Sequence, residues 1–263
     1  MKARSEGASQ ERLVVETFDE KAAVYANGYL GESAAAYSFN VRLRRVYELL
    51  EGHRGGRVLD VGCGPGITVE HLVKEGFEFY GVDISREMIA ECDSKFGHLG
   101  HAHFSVGKIE ELDFPDSFFD VVLSLGVVEY IDDDGRAAAE IGRVVKPGGI
   151  VVVTLPNRKS PYRVWQRTVY RGLRDLLRKV SGRRTARAEV RHREYSEREY
   201  RNLLASYGLK VADVVYYNFR IVLFPFDRLF PGLTVLLSRK MERFGRGKLR
   251  WLGTGFIVKA ESV

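Results

Sequence analysis

From residue 57 to residue 155 the chain alternates short apolar runs with amphipathic stretches, and nothing else in the sequence limits the fold as strongly. RVLDVG (57–62), FEFYGVD (77–83), HAHFSV (101–106), FDVVLSL (119–125) and IVVVTL (150–155) are short, apolar runs and read as buried strands. Between them, 67–75, 85–96 and 132–145 read as helices. The last has acids in its first turn and basic residues near its end, the sense that the helix dipole favours, and KPGG (146–149) stops it. Such alternation predicts a parallel sheet covered by helices on both faces. These sheets bind ligands beyond the carboxyl ends of their strands, so functional residues are expected just after strands one to four.

The flanks follow other patterns. Residues 11–26 and 32–50 carry helical spacing, with a break at Gly28 and Gly31. Pro161 suits the first residue of a helix over 161–180. Ser196 and Glu199 make a capping box for a helix that Gly208 closes. Residues 209–219 and 253–261 read as two closing strands, while 220–250 read as irregular, aromatic and basic. The expected fold is α/β, a doubly wound, mostly parallel seven-stranded sheet. Its expected parts are an N-terminal helical lid (1–50), the core (51–155), a basic helical insertion (156–195), and a closing helix and strands (196–263) interrupted by a cap insertion at 220–250.

Composition narrows the class. Hydrophobic residues make up 45% and charged residues 29% of 263, values that exclude wholesale disorder, collagen and coiled coil. Two cysteines cannot frame a disulfide scaffold or a four-thiolate zinc site. No uncharged apolar run reaches membrane-spanning length, and the polar N-terminus lacks the apolar core of a secretory signal. A cytoplasmic protein is expected.

The stretch Val58-Leu-Asp-Val-Gly-Cys-Gly-Pro-Gly66 carries the chemistry. Glycines at 62, 64 and 66 let a backbone approach a ligand with no Cβ in the way. A dinucleotide fingerprint would want glycine at 67, where this chain has Ile, and a phosphate-binding P-loop would want Gly-Lys-Ser/Thr, which is absent. Asp60, just before the turn, would repel a pyrophosphate and attract a cationic amine. Asp83 ends the second strand, where an acid can accept both hydroxyls of a ribose.

In this order the residues resemble the class I S-adenosylmethionine-dependent methyltransferases, in the branch of the ubiquinone/menaquinone-biosynthesis C-methyltransferases and their small-molecule relatives. Phe18-Asp19 with Ala22 to Tyr25 resembles the family's N-terminal helix. Val58 to Gly66 resembles its first motif, Gly107 to Asp120 and Phe119 to Tyr130 its later ones, and Val144 to Gly149 the turn before strand five. The resemblance implies a Rossmann-like methyltransferase fold with S-adenosylmethionine as cofactor. It implies that Gly62, Cys63 and Gly64 line the methionine part, that Asp60 orients it, and that Asp83 holds the ribose. Ile84, Ile109 and Glu110 would lie by the adenine, Leu125 would offer its carbonyl to the amino group, and Tyr25 would cover the site. The family usually has an acid where this chain has Lys108, and often His where it has Tyr130.

The implied reaction moves a methyl group to oxygen, nitrogen or carbon of a small acceptor, such as a quinone precursor, glycolipid or secondary metabolite. A hydroxyl acceptor needs a base, and Glu129, Tyr130, His192 and Tyr195 are the candidates. Cys63 reads as a small hydrophobe of the loop rather than a nucleophile, and His192, among arginines, as solvent-exposed. No metal site is expected, since His101 and His103 have no acid close in sequence.

Charge raises a second reading. Residues 158–193 hold thirteen Lys/Arg against Asp175 and Glu189, a local +11 within a chain of +6. A nucleic-acid-binding protein, or an RNA methyltransferase using this segment, is therefore the alternative. Against it, Arg163, Arg167, Arg171, Arg174 and Arg178 repeat on one helical face, with Tyr162, Trp165, Val169, Leu173, Leu176 and Leu177 opposite. With the similar mixture at 220–250, that amphipathic pattern suits either a plain roof over the core or a cap for an amphiphilic acceptor at an anionic membrane surface. Nothing in the sequence sets the oligomeric state.

Overall fold

The structure is a computed structural model and describes residues 10–20, 33–170, 172–173 and 190–263. Seven strands form one sheet: β1 (Arg57–Val61), β2 (Glu78–Asp83), β3 (Ala102–Val106), β4 (Phe119–Leu125), β5 (Val145–Pro156), β6 (Leu209–Tyr217) and β7 (Gly255–Ser262). Their order is β3-β2-β1-β4-β5-β7-β6. All neighbours are parallel except β7, which runs antiparallel to both β5 and β6. The carboxyl ends of β1, β2, β4, β5 and β6 therefore share one edge. The order reverses at β1, so the crevice between the turns after β1 and β4 is the expected ligand position.

Helices cover both faces. They are α1 (10–20), α2 (Ala34–Leu50), α3 (Val69–Lys74), α4 (Arg86–Phe96), α5 (Asp134–Val144), α6 (Pro161–Trp165), α7 (Glu197–Ala205), α8 (Phe226–Leu229) and α9 (Pro231–Met241). Side chains start several of them: Ser85 accepts from Met88 N–H, Asp133 from Arg136 N–H, and Ser196 with Glu199 closes the expected capping box. β5 shows why the strands read as unbroken apolar runs. Val151, Val153 and Leu155 pack with α5 and α7, while Ile150 and Val152 join Val46 and Leu49 of α2 and Leu72 of α3. Burying each such side chain contributes roughly 1.5–3 kcal/mol, and both faces must be apolar for that.

Three expectations need correction. KPGG is not a plain stop. α5 ends at Val144 and β5 starts at Val145, so 146–149 form a bulge between the Phe119–Val145 and Val121–Ile150 pairs. Residues 220–250 are not irregular but hold α8, α9 and two short 3-10 turns. The helix expected over 161–180 is α-helical over Pro161–Trp165 and widens to a π turn over Gln166–Tyr170, and beyond that only 172–173 are described and are helical. Tyr25, Gly28, Gly31, Arg171, Arg174, Leu176, Leu177 and Arg178 lie outside the described residues.

Candidate active site

The turn after β1 is built from backbone geometry. Val61 pairs with Val82, and Gly62 N–H and Cys63 N–H both donate to the Val82 carbonyl, at 2.6 and 3.1 Å. Gly62 sits at φ +73°, and a Cβ there would lie 2.1 Å from Val127 Cγ2, so glycine is obligatory. Gly64 differs: at φ +52° its Cβ direction meets nothing within 4 Å. Its N–H donates to Asp83 Oδ2 at 2.8 Å, and Ser85 N–H donates to Oδ1 at 2.9 Å. Burial pushes the Asp83 carboxyl up, and the N–H groups of Ser85, Gly64 and Ile84 pull it back. Each oxygen keeps a second acceptor direction.

Above this turn lies a cavity of about 380 Å³, within the ordinary range for small-ligand sites. Of the residues singled out from sequence, Gly62, Cys63, Gly64, Asp83, Ile84, Ile109, Glu110, Leu125 and Tyr130 line it. Asp60 does not reach the wall. It lies buried beneath the loop, where Thr68 Oγ1 donates to Oδ2 at 2.6 Å and Oδ1 has no partner. Burial raises its carboxyl to about 7, with Thr68 opposing and the nearby Asp83 charge adding. Cys63 is buried, with Cys92 as thiol neighbour, and both contacts and burial keep it protonated. Its expected role as a small hydrophobe agrees with that setting.

The far end of the cavity rests on the 3-10 turn Val128–Tyr130 after β4. Glu129 is buried there with Oε2 unpartnered. Burial raises its carboxyl, and the Arg42 and Arg163 guanidiniums pull it back. His192 is exposed, as expected, yet its Nε2 lies 3.9 Å from Glu129 Oε1, and its ring meets Tyr130 edge-on at 5.0 Å. The three expected acceptor-side residues thus stand together. Tyr195 leaves the set, because its buried hydroxyl donates to the Val128 carbonyl at 3.1 Å and burial lifts it far above its ordinary range.

One contributor had no sequence signal. Arg42 of α2 lines the cavity, its guanidinium 2.7 Å from where a Gly126 Cβ would be. In the run Arg42-Leu-Arg-Arg45, nothing distinguishes it from Arg44 and Arg45, which pair with Glu48. α1 lies across the opening. Glu11 pairs with Lys108 at 2.5 Å, Ser85 Oγ donates to Asp19 at 2.5 Å, and Phe18 meets Tyr130 edge-on at 5.3 Å. Lys108, in the place of the usual acid, serves this contact.

The described arginines of the basic segment are paired with acids of the chain. Arg158 pairs with Glu199, Arg163 and Arg167 with Glu194, Arg191 with Asp132, and Arg193 with Asp134. His103, with no acid close in sequence, lies 3.4 Å from Glu78 on the neighbouring strand. Among the described residues no helix is long and apolar enough to cross a membrane.

Residues 59–153 match the family described as a methyltransferase domain, and that stretch belongs to it. The chain is 39% identical over 126 residues to a 2-methyl-6-phytyl-1,4-hydroquinone methyltransferase of Synechocystis, covering 46% of this chain and 40% of that protein. It is 35% identical over 141 residues to a ubiquinone biosynthesis O-methyltransferase of Azorhizobium caulinodans, covering 49% and 56%. The chain thus spans about half the length of these curated relatives. In fold it is similar to a solved SAM-dependent methyltransferase of Thermotoga maritima, described as a possible histamine N-methyltransferase. The TM-score is 0.62 at 19% identity, covering 94% of this chain and 98% of that one.

Proposed function

We propose that this chain, proceeding from its methyltransferase domain, moves the methyl group of S-adenosylmethionine to a small, amphiphilic acceptor such as a quinone precursor. The Asp83 carboxylate, held by Gly64 and Ser85 N–H beside an open cavity, carries this reading. The residues present fit the cofactor. Asp83 retains acceptor directions for the ribose hydroxyls. Gly64 leaves the space a side chain would fill. Ile84, Ile109 and Leu125 supply the apolar wall for adenine, and Arg42 supplies a cation for a carboxylate. When bound, the cofactor supplies an electrophilic methyl on sulfur, so no protein nucleophile is required.

What remains for the chain is orientation, exclusion of water and proton removal. α1 with Phe18 and Val14 closes the opening, in keeping with a lid over residues 1–50. For a hydroxyl acceptor, Glu129 is the proton acceptor: burial raises its basicity and His192 lies beside it. The relatives named for quinone precursors favour such an acceptor. The test is labelled-methyl transfer to a panel of hydroquinols, phenols, amines and glycolipids, with wild type and Glu129→Gln. Turnover of a hydroxyl acceptor is expected, falling by about 10²–10⁴-fold in the variant, the usual worth of a general base. Affinity for S-adenosylhomocysteine is expected to stay unchanged. Undiminished turnover in Glu129→Gln would remove Glu129 as the base, and no transfer to any of the panel would remove the small-acceptor reading.

A further inference from the structure

We infer that the outer face of α8 and α9 is a docking surface for an anionic lipid bilayer. It rests on the reading above only for its purpose, bringing an amphiphilic acceptor to the site. The fully buried positions of α9 are polar, while Val235, Leu237 and Met241 are half-buried. The buried positions are Thr234 and Ser238, whose hydroxyls donate to the carbonyls of Phe230 and Phe219, at 2.9 and 2.6 Å. Leu233 and Leu236 point outward instead. With Phe226, Leu229 and Phe230 they form a run of large apolar side chains, from 49% exposed at Leu233 to 66% at Leu229. A helix that folds its hydroxyls inward and its leucines outward gains nothing from water on that face, and exposed patches of this kind mark contact sites.

Charge selects the occupant. Arg239 and Lys240 lie in the last turn of α9, Arg228 in α8, and Arg243 just beyond. None of the four has a carboxylate within ion-pair distance among the described residues. Arg228, Arg239 and Arg243 rest instead on the rings of Phe224, Tyr37 and Phe244. The two acids of 220–243, Asp227 and Glu242, are both buried, the first bonded to Tyr162 and Arg220. The face is thus apolar with an uncompensated positive border. A second copy docked face to face would set these cations against their own images, whereas anionic headgroups neutralise them while the side chains of Leu229, Phe230 and Leu233 enter the acyl boundary.

Position agrees. The segment issues from the carboxyl end of β6, on the sheet edge that holds the glycine turn and Asp83. It is joined to α6, after β5, through Tyr162–Asp227 and through Trp165 Nε1 donating to the Phe224 carbonyl at 2.9 Å. Of the two expected cap elements, the basic helix after β5 has its described Arg163 and Arg167 committed to Glu194, so among the described residues the unpaired cations lie on α8, α9 and the turn after them.

Vesicle flotation tests this, with phosphatidylcholine alone and mixed equally with phosphatidylglycerol, at low salt and at about 0.5 M, where screening is nearly complete. Wild type is expected to float only with the mixed vesicles and to be released by salt. Leu229→Gln/Leu233→Gln/Leu236→Gln and Arg228→Gln/Arg239→Gln/Lys240→Gln are each expected to lose at least tenfold in bound fraction. Both should keep the wild-type thermal shift with S-adenosylhomocysteine, which separates lost docking from lost folding. No flotation of wild type, equal flotation with both vesicles, or a dimer without vesicles that the leucine variant dissolves would each overturn the inference. Flotation by a chain that shows no thermal shift would uphold the surface and count only against the methyltransferase reading.

Discussion

The turn after β1 and the cap after β5 and β6 share one edge of one sheet, yet they are held in different ways. In the turn, each residue answers a backbone demand: Gly62 because a side chain would strike Val127, Asp83 because two loop N–H groups need an acceptor. In the cap, side chains far apart in sequence meet one another, as Glu194 meets Arg163 and Arg167, or Tyr162 meets Asp227 across 65 positions. The first arrangement tolerates almost no substitution. The second distributes its stability over many replaceable pairs, which leaves it free to differ between relatives that share the turn.

The sharpest way to stress the turn is through Asp60. Its folded carboxyl titrates near 7, far above an unfolded aspartate. The folded state therefore holds a proton that the unfolded state has lost, so stability falls as pH rises from about 4 to about 7. At 1.36 kcal/mol per unit the loss is on the order of 4 kcal/mol. Denaturant unfolding without ligand, from pH 5 to 8, should show about 3 kcal/mol of that decline in wild type, and a flatter profile in Asp60→Asn. Superimposable profiles would mean that Asp60 carries no buried titration.

A smaller effect is expected in the cap. Glu194→Gln weakens two partly exposed ion pairs at once, for about 1 kcal/mol in total. The melting temperature should fall by a few degrees, with S-adenosylhomocysteine affinity unchanged. A tenfold loss of affinity would break the comparison, because it would couple the cap to the turn.

What could be read from sequence follows the same division. The strand positions, the glycine turn, Asp83 at the end of β2 and the Ser196 capping box were legible, since local geometry dictates residue type there. Arg42 was not, because only tertiary packing distinguishes it from Arg44 and Arg45. The segment 220–250 misled for a physical reason. Periodicity locates a helix by assuming that its leucines face the core, and α9 buries Thr234 and Ser238 instead. His192 is exposed, as its arginine neighbours in sequence suggest, but its contacts with Glu129 and Tyr130 are made only in space and carry no sequence signal.

The central claim is that the cavity above Gly64 holds S-adenosylmethionine with Asp83 on the ribose. Calorimetric titration of wild type and Asp83→Ala with S-adenosylhomocysteine tests it most directly, with melting curves confirming that the variant remains folded. One site per chain is expected in wild type. Losing two hydrogen bonds to a charged acceptor costs about 3–6 kcal/mol, so the variant should bind at least a hundredfold more weakly. Equal affinity in the two folded proteins, or no binding to wild type, would contradict the account.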